Sequence, residues 1–224
     1  YARDEALHRR NARDRLGRIA PHRDRPGSLI DVGCAAGFFL DEAHRAGWRV
    51  TGIDVSSWAR RVAQERFDLP VVTDLASLPV DPTPVDLVTF FQSLEHMADP
   101  RAAVEQAAGR LAVDGLVVIE TWDRSSWLAR RSGRSWQQVT PPSVLYLFSR
   151  KSLHRLLTDV GLEPVSMAAT SKRVSVGLVA GILEYKRPAL FGPLRRLLVK
   201  LAADRLSLRY RLGDLVTVVA RKSV

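Results

Sequence analysis

The chain has 224 residues, of which 46% are hydrophobic, and this composition suits one domain with a substantial core. No uninterrupted apolar run is long enough to span a bilayer, and the single cysteine, Cys34, excludes a disulfide within these residues and favours a reducing cytoplasm. The formal net charge of +10 comes mainly from arginine. It favours contact with an anionic small molecule or a membrane surface over a nucleic-acid partner.

The polar, arginine-rich residues 1–27 predict an N-terminal helical cover, which precedes a main domain at 28–224. Leu7, Leu16 and Ile19 are its sparse apolar anchors, and the predicted helices end near Pro21. Two interpretations remain open: a lid over a ligand site, or a solvated helix face that lies on the domain.

Residues 28–40 predict a short buried strand, a tight turn of small residues and the start of a helix. The strand covers residues 29–32, the turn covers 33–37, and the helix begins at Phe38. Small residues let backbone N–H groups approach a ligand closely, and a helix N-terminus favours electron-rich groups. This stretch therefore predicts a ligand-binding loop.

Strands and helices alternate with short connections through residues 28–121. This alternation predicts a parallel, doubly wound sheet with helices on both faces. Asp54, Asp74 and Phe91 stand at the ends of the second, third and fourth predicted strands. Ligands bind at that edge of such sheets, so we expect these side chains to meet there.

Two segments interrupt the alternation. Residues 122–149 are rich in tryptophan, arginine and proline, and we expect them to cover the substrate. Residues 170–212 include Leu194, Leu197, Leu198 and Leu201 on one face of a basic helix, which we expect to shape the pocket. Such a helix suits peripheral membrane contact through 187–212, or packing on its own chain or on a second copy. Monomer and homodimer both remain open.

The glycines of the first turn argue against a nicotinamide dinucleotide. Its fingerprint is Gly-x-Gly-x-x-Gly, followed about twenty residues later by an acidic residue. Asp54 supplies that acid, but the turn reads Gly-Cys-Ala-Ala-Gly, with Ala35 where a glycine is expected. An acidic residue at Asp31, just before the turn, is also atypical of the nicotinamide dinucleotide fingerprint. The pattern disfavours a nicotinamide-dependent oxidoreductase.

Five segments follow one another in a characteristic order. They read Asp-Val-Gly-Cys-Ala-Ala-Gly at 31–37, Thr-Gly-Ile-Asp-Val-Ser at 51–56, Thr-Asp-Leu at 73–75, Phe-Gln-Ser-Leu-Glu-His-Met-Ala-Asp-Pro at 91–100 and Val-Asp-Gly-Leu-Val-Val-Ile at 113–119. Together they resemble the class I S-adenosylmethionine-dependent methyltransferases, in the branch of ubiquinone-biosynthesis-type small-molecule enzymes. The resemblance implies a Rossmann-like α/β sheet of seven strands, mostly parallel, with the last strand antiparallel.

The resemblance also implies S-adenosylmethionine as cofactor and S-adenosylhomocysteine as product. Asp54 is then expected to accept hydrogen bonds from both ribose hydroxyls, and Asp31 to bind the amino group. Asp74 and Leu75 are expected to contact the adenine, although Asp74 also suits a plain turn. The whole predicted cofactor set is Asp31, Gly33, Cys34, Ala35, Gly37, Phe38, Asp54, Val55, Asp74, Leu75, Phe91 and Gln92.

Catalysis is less well defined by the sequence. A hydroxyl acceptor often needs a general base, and His96 follows the fourth strand, where it suits either that role or a structural one. Many relatives carry Glu-His after Pro-Pro, but Ser143 and Val144 stand here, which leaves His96, Tyr146 or alignment alone. No metal site is predicted. An RNA-modifying methyltransferase, or a protein that binds S-adenosylmethionine without turnover, remains an alternative.

Overall fold

A seven-stranded sheet organises the fold. The computed structural model describes residues 4–78, 83–186, 188–201 and 206–223. The strands are β1 Ser28–Val32, β2 Arg49–Ile53, β3 Val71–Val72, β4 Val85–Phe91, β5 Leu111–Trp122, β6 Leu162–Ala169, β7 Lys172–Ser175, β8 Ser207–Tyr210 and β9 Leu215–Lys222. The α-helices are α1 Glu5–Ile19, α2 Phe38–Arg45, α3 Ser57–Phe67, α4 Pro100–Arg110, α5 Trp127–Ser132, α6 Arg150–Thr158, α7 Val176–Lys186 and α8 Pro188–Lys200, with 3₁₀ turns at Ala20–His22, Leu94–His96 and Gly133–Ser135.

The strand order is β3-β2-β1-β4-β5-β9-β6. The pairs from β3 to β5 are parallel, and β9 runs antiparallel to both β5 and β6. The predicted doubly wound, mostly parallel sheet with an antiparallel last strand is therefore confirmed. Strands β2 and β3 lie on one side of β1, and β4 and β5 lie on its other side, so the strand order reverses at β1. In this topology the ligand crevice lies at the end of β1.

Local side-chain chemistry sets two of the helix starts near that crevice. The Ser56 hydroxyl accepts a hydrogen bond from the Ala59 amide at the start of α3. The Asp99 carboxylate accepts one from the Ala102 amide, and Pro100 occupies the first position of α4. These caps fix the chain just after β2 and β4.

Alternate residues of β4 build the core on the two faces of the sheet. Val88 and Phe90 belong to one buried cluster, together with Leu153 of α6. Leu87 and Phe91 belong to a second cluster, which includes Leu40 of α2. Burial on both faces makes the centre of the sheet a rigid platform for its ligand edge.

Helix α1 is held on the domain by charged side chains. Arg9 lies 2.5 Å from Asp41 and 2.7 Å from Glu42 of α2. At the other end of the helix, Arg15 and Arg18 both pair with Glu120, at 2.6 and 3.0 Å. Glu120 is fully buried, so these contacts satisfy a charge at the end of β5.

The segment between β6 and β9 differs from the single amphipathic helix expected there. It forms the antiparallel pair β7–β8 with helices α7 and α8 between the two strands. Leu194, Leu197 and Leu201 are 45%, 52% and 66% exposed, so the described residues leave this part of the predicted stripe uncovered. Residues 187 and 202–205 of the predicted membrane segment lie outside the described residues. No described helix is both long and apolar enough to cross a membrane.

Candidate cofactor and acceptor site

Two cavities adjoin at the ligand edge of the sheet. The first cavity, of about 350 Å³, lies between α1, the loop at 33–37 and the start of β7. The second cavity, of about 620 Å³, lies between the ends of β2 and β3 and the segment at 92–106. Gly33 and Gln92 line both cavities. One elongated ligand can therefore occupy both spaces across Gly33.

The loop between β1 and α2 has a backbone that requires glycine. Gly33 has φ +83°, and a Cβ there would lie 2.4 Å from Cβ of Ser93. Gly37 has φ +80°, and a Cβ there would lie 2.9 Å from Cβ of Ala63. Gly37 lines neither cavity. Its contribution in the structure is to the backbone conformation of the loop.

The Asp54 carboxylate is fixed on the wall of the second cavity. One oxygen accepts the Ala35 amide at 2.8 Å, and the other accepts the Ser56 amide at 2.9 Å. The side chain is only half-buried, and each oxygen keeps a further lone pair. A carboxylate held in this way suits two neighbouring hydroxyl groups.

Asp31 is a buried acid on the wall of the first cavity. It is 3% exposed and accepts a hydrogen bond of 2.6 Å from the Thr89 hydroxyl. Burial raises the pKa of Asp31 to about 6, against the opposing effects of Thr89 and the more distant Arg15. In the described ranges no cation lies within ion-pair distance of this carboxylate. An ammonium group in the cavity would compensate its charge.

The other predicted cofactor residues divide between the two cavities. Those that line the first are Cys34, Ala35, Phe38 and Phe91, and those that line the second are Val55, Asp74 and Leu75. The Cys34 thiol is buried, which raises its pKa and leaves it a small apolar wall. The Asp74 carboxylate accepts two hydrogen bonds of 2.7 Å from Ser77, and these contacts lower its pKa.

His96 lines the second cavity and is hydrogen-bonded to the backbone of the aromatic segment 122–149. Its Nδ1 lies 2.5 Å from the Ser143 carbonyl oxygen. A carbonyl oxygen only accepts hydrogen bonds, so we assign a proton to Nδ1. The residue that departs from the family pattern, Ser143, is thus joined to His96 through its main chain.

Tyr146 does not line either cavity. Its hydroxyl donates to the Ala98 carbonyl at 3.0 Å, and its ring stacks on Phe148. The backbone amides of Leu145 and Tyr146 both donate to the Glu95 carbonyl, at 2.9 and 3.1 Å. These contacts hold the end of the aromatic segment 122–149 against the 3₁₀ turn at Leu94–His96, and a catalytic role for Tyr146 stays a prediction.

The structure adds Lys172, which the sequence analysis did not single out. Its Nζ donates to Gln92 Oε1 at 3.0 Å and lies 4.5 Å from the ring centre of Trp122. Burial lowers the pKa of Lys172 to about 8. No motif marks this residue, because it lies 80 residues from Gln92 in a segment without a family pattern.

Helix α1 and strand β7 together close the first cavity. The Asn11 side chain donates to the Arg173 carbonyl at 2.9 Å and accepts the Arg173 amide at 2.7 Å. Asn11, Arg15, Lys172 and Arg173 all line the cavity. Side chains of α1 thus form one wall of the first cavity, and a role of the N-terminal segment as a lid stays a prediction.

The class of the protein follows from comparison with known proteins. Residues 3–167 match the family model for a methyltransferase domain, so the chain belongs to that family. The magnesium protoporphyrin IX methyltransferase of Synechocystis, solved with S-adenosylhomocysteine, has this fold: its TM-score is 0.61 at 16% identity, with 97% of this chain and 84% of that chain covered.

Curated relatives give a finer comparison. The ubiquinone biosynthesis O-methyltransferase of Nitrosomonas europaea is 31% identical over 165 residues, which is 70% of this chain and 64% of that protein. The enzyme of the same name from Albidiferax ferrireducens is 34% identical over 105 residues, which is 43% of this chain and 42% of that protein. The chain thus spans between about two fifths and two thirds of the relatives it matches.

Proposed function

We propose that this protein transfers a methyl group from S-adenosylmethionine to a hydroxyl oxygen of a small molecule. The observation that carries the proposal is the Asp54 carboxylate, held by the Ala35 and Ser56 amides on a cavity that continues past Gly33. The names of the curated relatives support oxygen as the acceptor atom. A natural product, a sugar or a lipid-linked compound fits the proposal.

The residues present fit the cofactor along its whole length. Asp74, Leu75 and Val55 would bind the adenine end, Asp54 the ribose, and Asp31 the amino group. The sulfonium supplies an activated methyl group, so the protein's task is to align the acceptor with it and to exclude water. Arg15 and Asn11 of α1 line the first cavity. The acceptor would enter this cavity beside the loop at 33–37.

His96 enters the proposal as a positioning residue. Its ring joins the 3₁₀ turn after β4 to Ser143, and it lies with Asp74 on the second cavity, away from Asp31. Its predicted role as the general base stays a prediction. The pH profile of the His96→Ala variant separates the roles: loss of a base removes the rise in rate near neutral pH, whereas loss of a positioning residue lowers the rate at every pH.

We also propose peripheral membrane contact through residues 187–212. Leu190, Leu194 and Leu197 of α8 are exposed, and Arg195, Arg196 and Lys200 belong to the same helix. Apolar side chains beside basic ones suit an anionic lipid surface.

Methyl transfer from labelled S-adenosylmethionine tests the proposed reaction. Wild-type protein is incubated with a small-metabolite extract and, separately, with total RNA. Label in small molecules is the expected result, and label in RNA would favour the RNA-modifying alternative. The Asp54→Ala variant is the negative control. Binding of S-adenosylhomocysteine without transfer to any acceptor would favour a protein without turnover.

A further inference from the structure

Lys172 lines the first cavity and is hydrogen-bonded to Gln92, which lines both cavities. It is the first residue of β7, and its Nζ donates a hydrogen bond to Gln92 Oε1 at 3.0 Å. Gln92 follows β4 directly, has φ +56° and lines both cavities together with Gly33. The amine therefore shares the first cavity with Gly33 and Gln92, the two residues that connect it to the second cavity.

The surroundings of Lys172 suit an amine that loses and regains a proton. The Gln92 amide oxygen accepts one N–H, so the lone pair of a neutral amine stays available. The face of Trp122, 4.5 Å from Nζ, stabilises the protonated form. Among the described residues no carboxylate lies within ion-pair distance of Nζ, so no partner holds the amine permanently charged.

The charged groups around Lys172 come from four elements. Glu120 of β5, Glu95 of the 3₁₀ turn and Asp214 before β9 favour its charged form, and Arg15 of α1 opposes it. Arg15 and Arg18 already compensate Glu120, while the Trp136 indole and the Tyr210 hydroxyl hydrogen-bond to Asp214. Desolvation therefore dominates, and the pKa of Lys172 falls to about 8.

We propose that Lys172 is the general base that removes the proton from the acceptor hydroxyl. The assignment rests on the proposed methyl transfer. The acceptor oxygen forms a bond to the methyl carbon while the carbon–sulfur bond breaks, and the electron pair of that bond stays on sulfur as a neutral thioether. The hydroxyl proton moves to the lone pair of Nζ, which becomes an ammonium ion and later returns the proton to water.

Competitive acetylation tests the state of the amine without an acceptor. The protein is treated with acetic anhydride across the neutral and alkaline pH range, and the modification of each lysine is measured by mass spectrometry. Lys172 is expected to titrate with a pKa of about 8, and S-adenosylhomocysteine to slow its reaction. Exposed Lys151 of α6 is the internal reference. A Lys172 that titrates like Lys151, or that never reacts, overturns the assignment.

Variants of Lys172 test its catalytic role with catechol as the probe acceptor. The wild-type rate should rise with pH through about 8, because only the neutral amine accepts a proton. Lys172→Met and Lys172→Arg should lose this rise and about a hundredfold or more of the rate. Lys151→Met, a matched change on the surface, should behave as wild type.

Binding measurements separate the two possible failures. Wild-type protein that does not bind S-adenosylhomocysteine contradicts the proposed function itself. Lys172→Met that binds S-adenosylhomocysteine and keeps the wild-type rate and pH profile contradicts only the role of Lys172. If the wild type does not methylate catechol, the acetylation titration of Lys172 decides whether the assignment of Lys172 is kept or overturned.

Discussion

At the scale of single residues, Asp54 has the most specific geometry in the site. Its two oxygens each accept a backbone amide, so the carboxylate cannot rotate away from the second cavity. Replacing it by asparagine turns one acceptor into a donor that faces an amide N–H. The same change at the surface residue Asp68, which lies outside both cavities in a left-handed conformation that asparagine tolerates, affects no proposed ligand.

We expect Asp54→Asn to weaken binding of S-adenosylhomocysteine by about tenfold to a hundredfold, because charge-assisted hydrogen bonds contribute about 1.5–3 kcal/mol each. Isothermal titration calorimetry measures the change. Asp68→Asn should bind as wild type. Equal affinities of the two variants would remove Asp54 from the binding site.

Asp31 gives the site a pH dependence with a defined sign. Its pKa in the free folded protein is about 6, above its ordinary value, so the carboxyl becomes neutral as the pH falls through 6. A neutral carboxyl loses its attraction for an ammonium group. Affinity for S-adenosylhomocysteine should therefore decrease below pH 6, by up to about tenfold per pH unit.

Titration calorimetry of wild type and Asp31→Asn on both sides of pH 6 checks this expectation. The variant should bind weakly with a flat pH dependence in that range. Wild-type affinity that stays constant from neutral pH to well below 6 would show that Asp31 does not hold the amino group.

The sequence singled out the acids that line the two cavities but not the amine in the first of them. Asp31 and Asp54 were identified because the signal for each lies within a few residues. Asp31 belongs to a buried strand that leads into a turn of small residues, and Asp54 stands at the end of the next predicted strand. Lys172 was missed because its contact with Gln92 depends on how a separate segment folds over the sheet. Tyr146 was selected for its position after Pro-Pro, and no local pattern shows that its hydroxyl binds Ala98.

At the scale of secondary-structure elements, α1 and β7 act together as the cover of the first cavity. Asn11 supplies both of the described side-chain hydrogen bonds to the Arg173 backbone. Asn11→Ala removes both and leaves the amide and carbonyl of Arg173 to water. We expect amide exchange at Arg173 to become about tenfold faster or more, since each such hydrogen bond contributes about 1 kcal/mol.

Hydrogen exchange measured by mass spectrometry on peptides that contain β7 checks this expectation. Gly17→Ala is the control on the same helix, because its added Cβ would meet no atom within 4 Å. Exchange in β7 should be unchanged in the control. Unchanged exchange in Asn11→Ala would mean that α1 does not hold β7 in place.

Local signals predicted some elements well and others poorly. The starts of α3 and α4 have a local signal, because Ser56 and Asp99 cap them within three residues. Strands β7 and β8 were not predicted, because each has four residues and pairs across an insertion of more than thirty. Such pairing depends on long-range packing, which sequence periodicity does not report.

At the scale of the whole molecule, the positive charge and the exposed leucines of α8 predict an interaction with anionic lipid. Sedimentation with vesicles of phosphatidylglycerol and phosphatidylcholine should retain the protein, and vesicles of phosphatidylcholine alone should retain much less. Leu194→Asp, on the exposed face of α8, should reduce binding without loss of S-adenosylhomocysteine affinity. Equal retention by the two kinds of vesicle would contradict an electrostatic membrane contact.

The central claim, that the crevice at the end of β1 binds S-adenosylmethionine, is tested most directly by calorimetry with two ligands. Wild-type protein is titrated with S-adenosylhomocysteine and, in parallel, with NAD. We predict saturable binding of S-adenosylhomocysteine with a stoichiometry of one per chain, and no binding of NAD. Binding of NAD in the absence of any binding of S-adenosylhomocysteine would contradict the account.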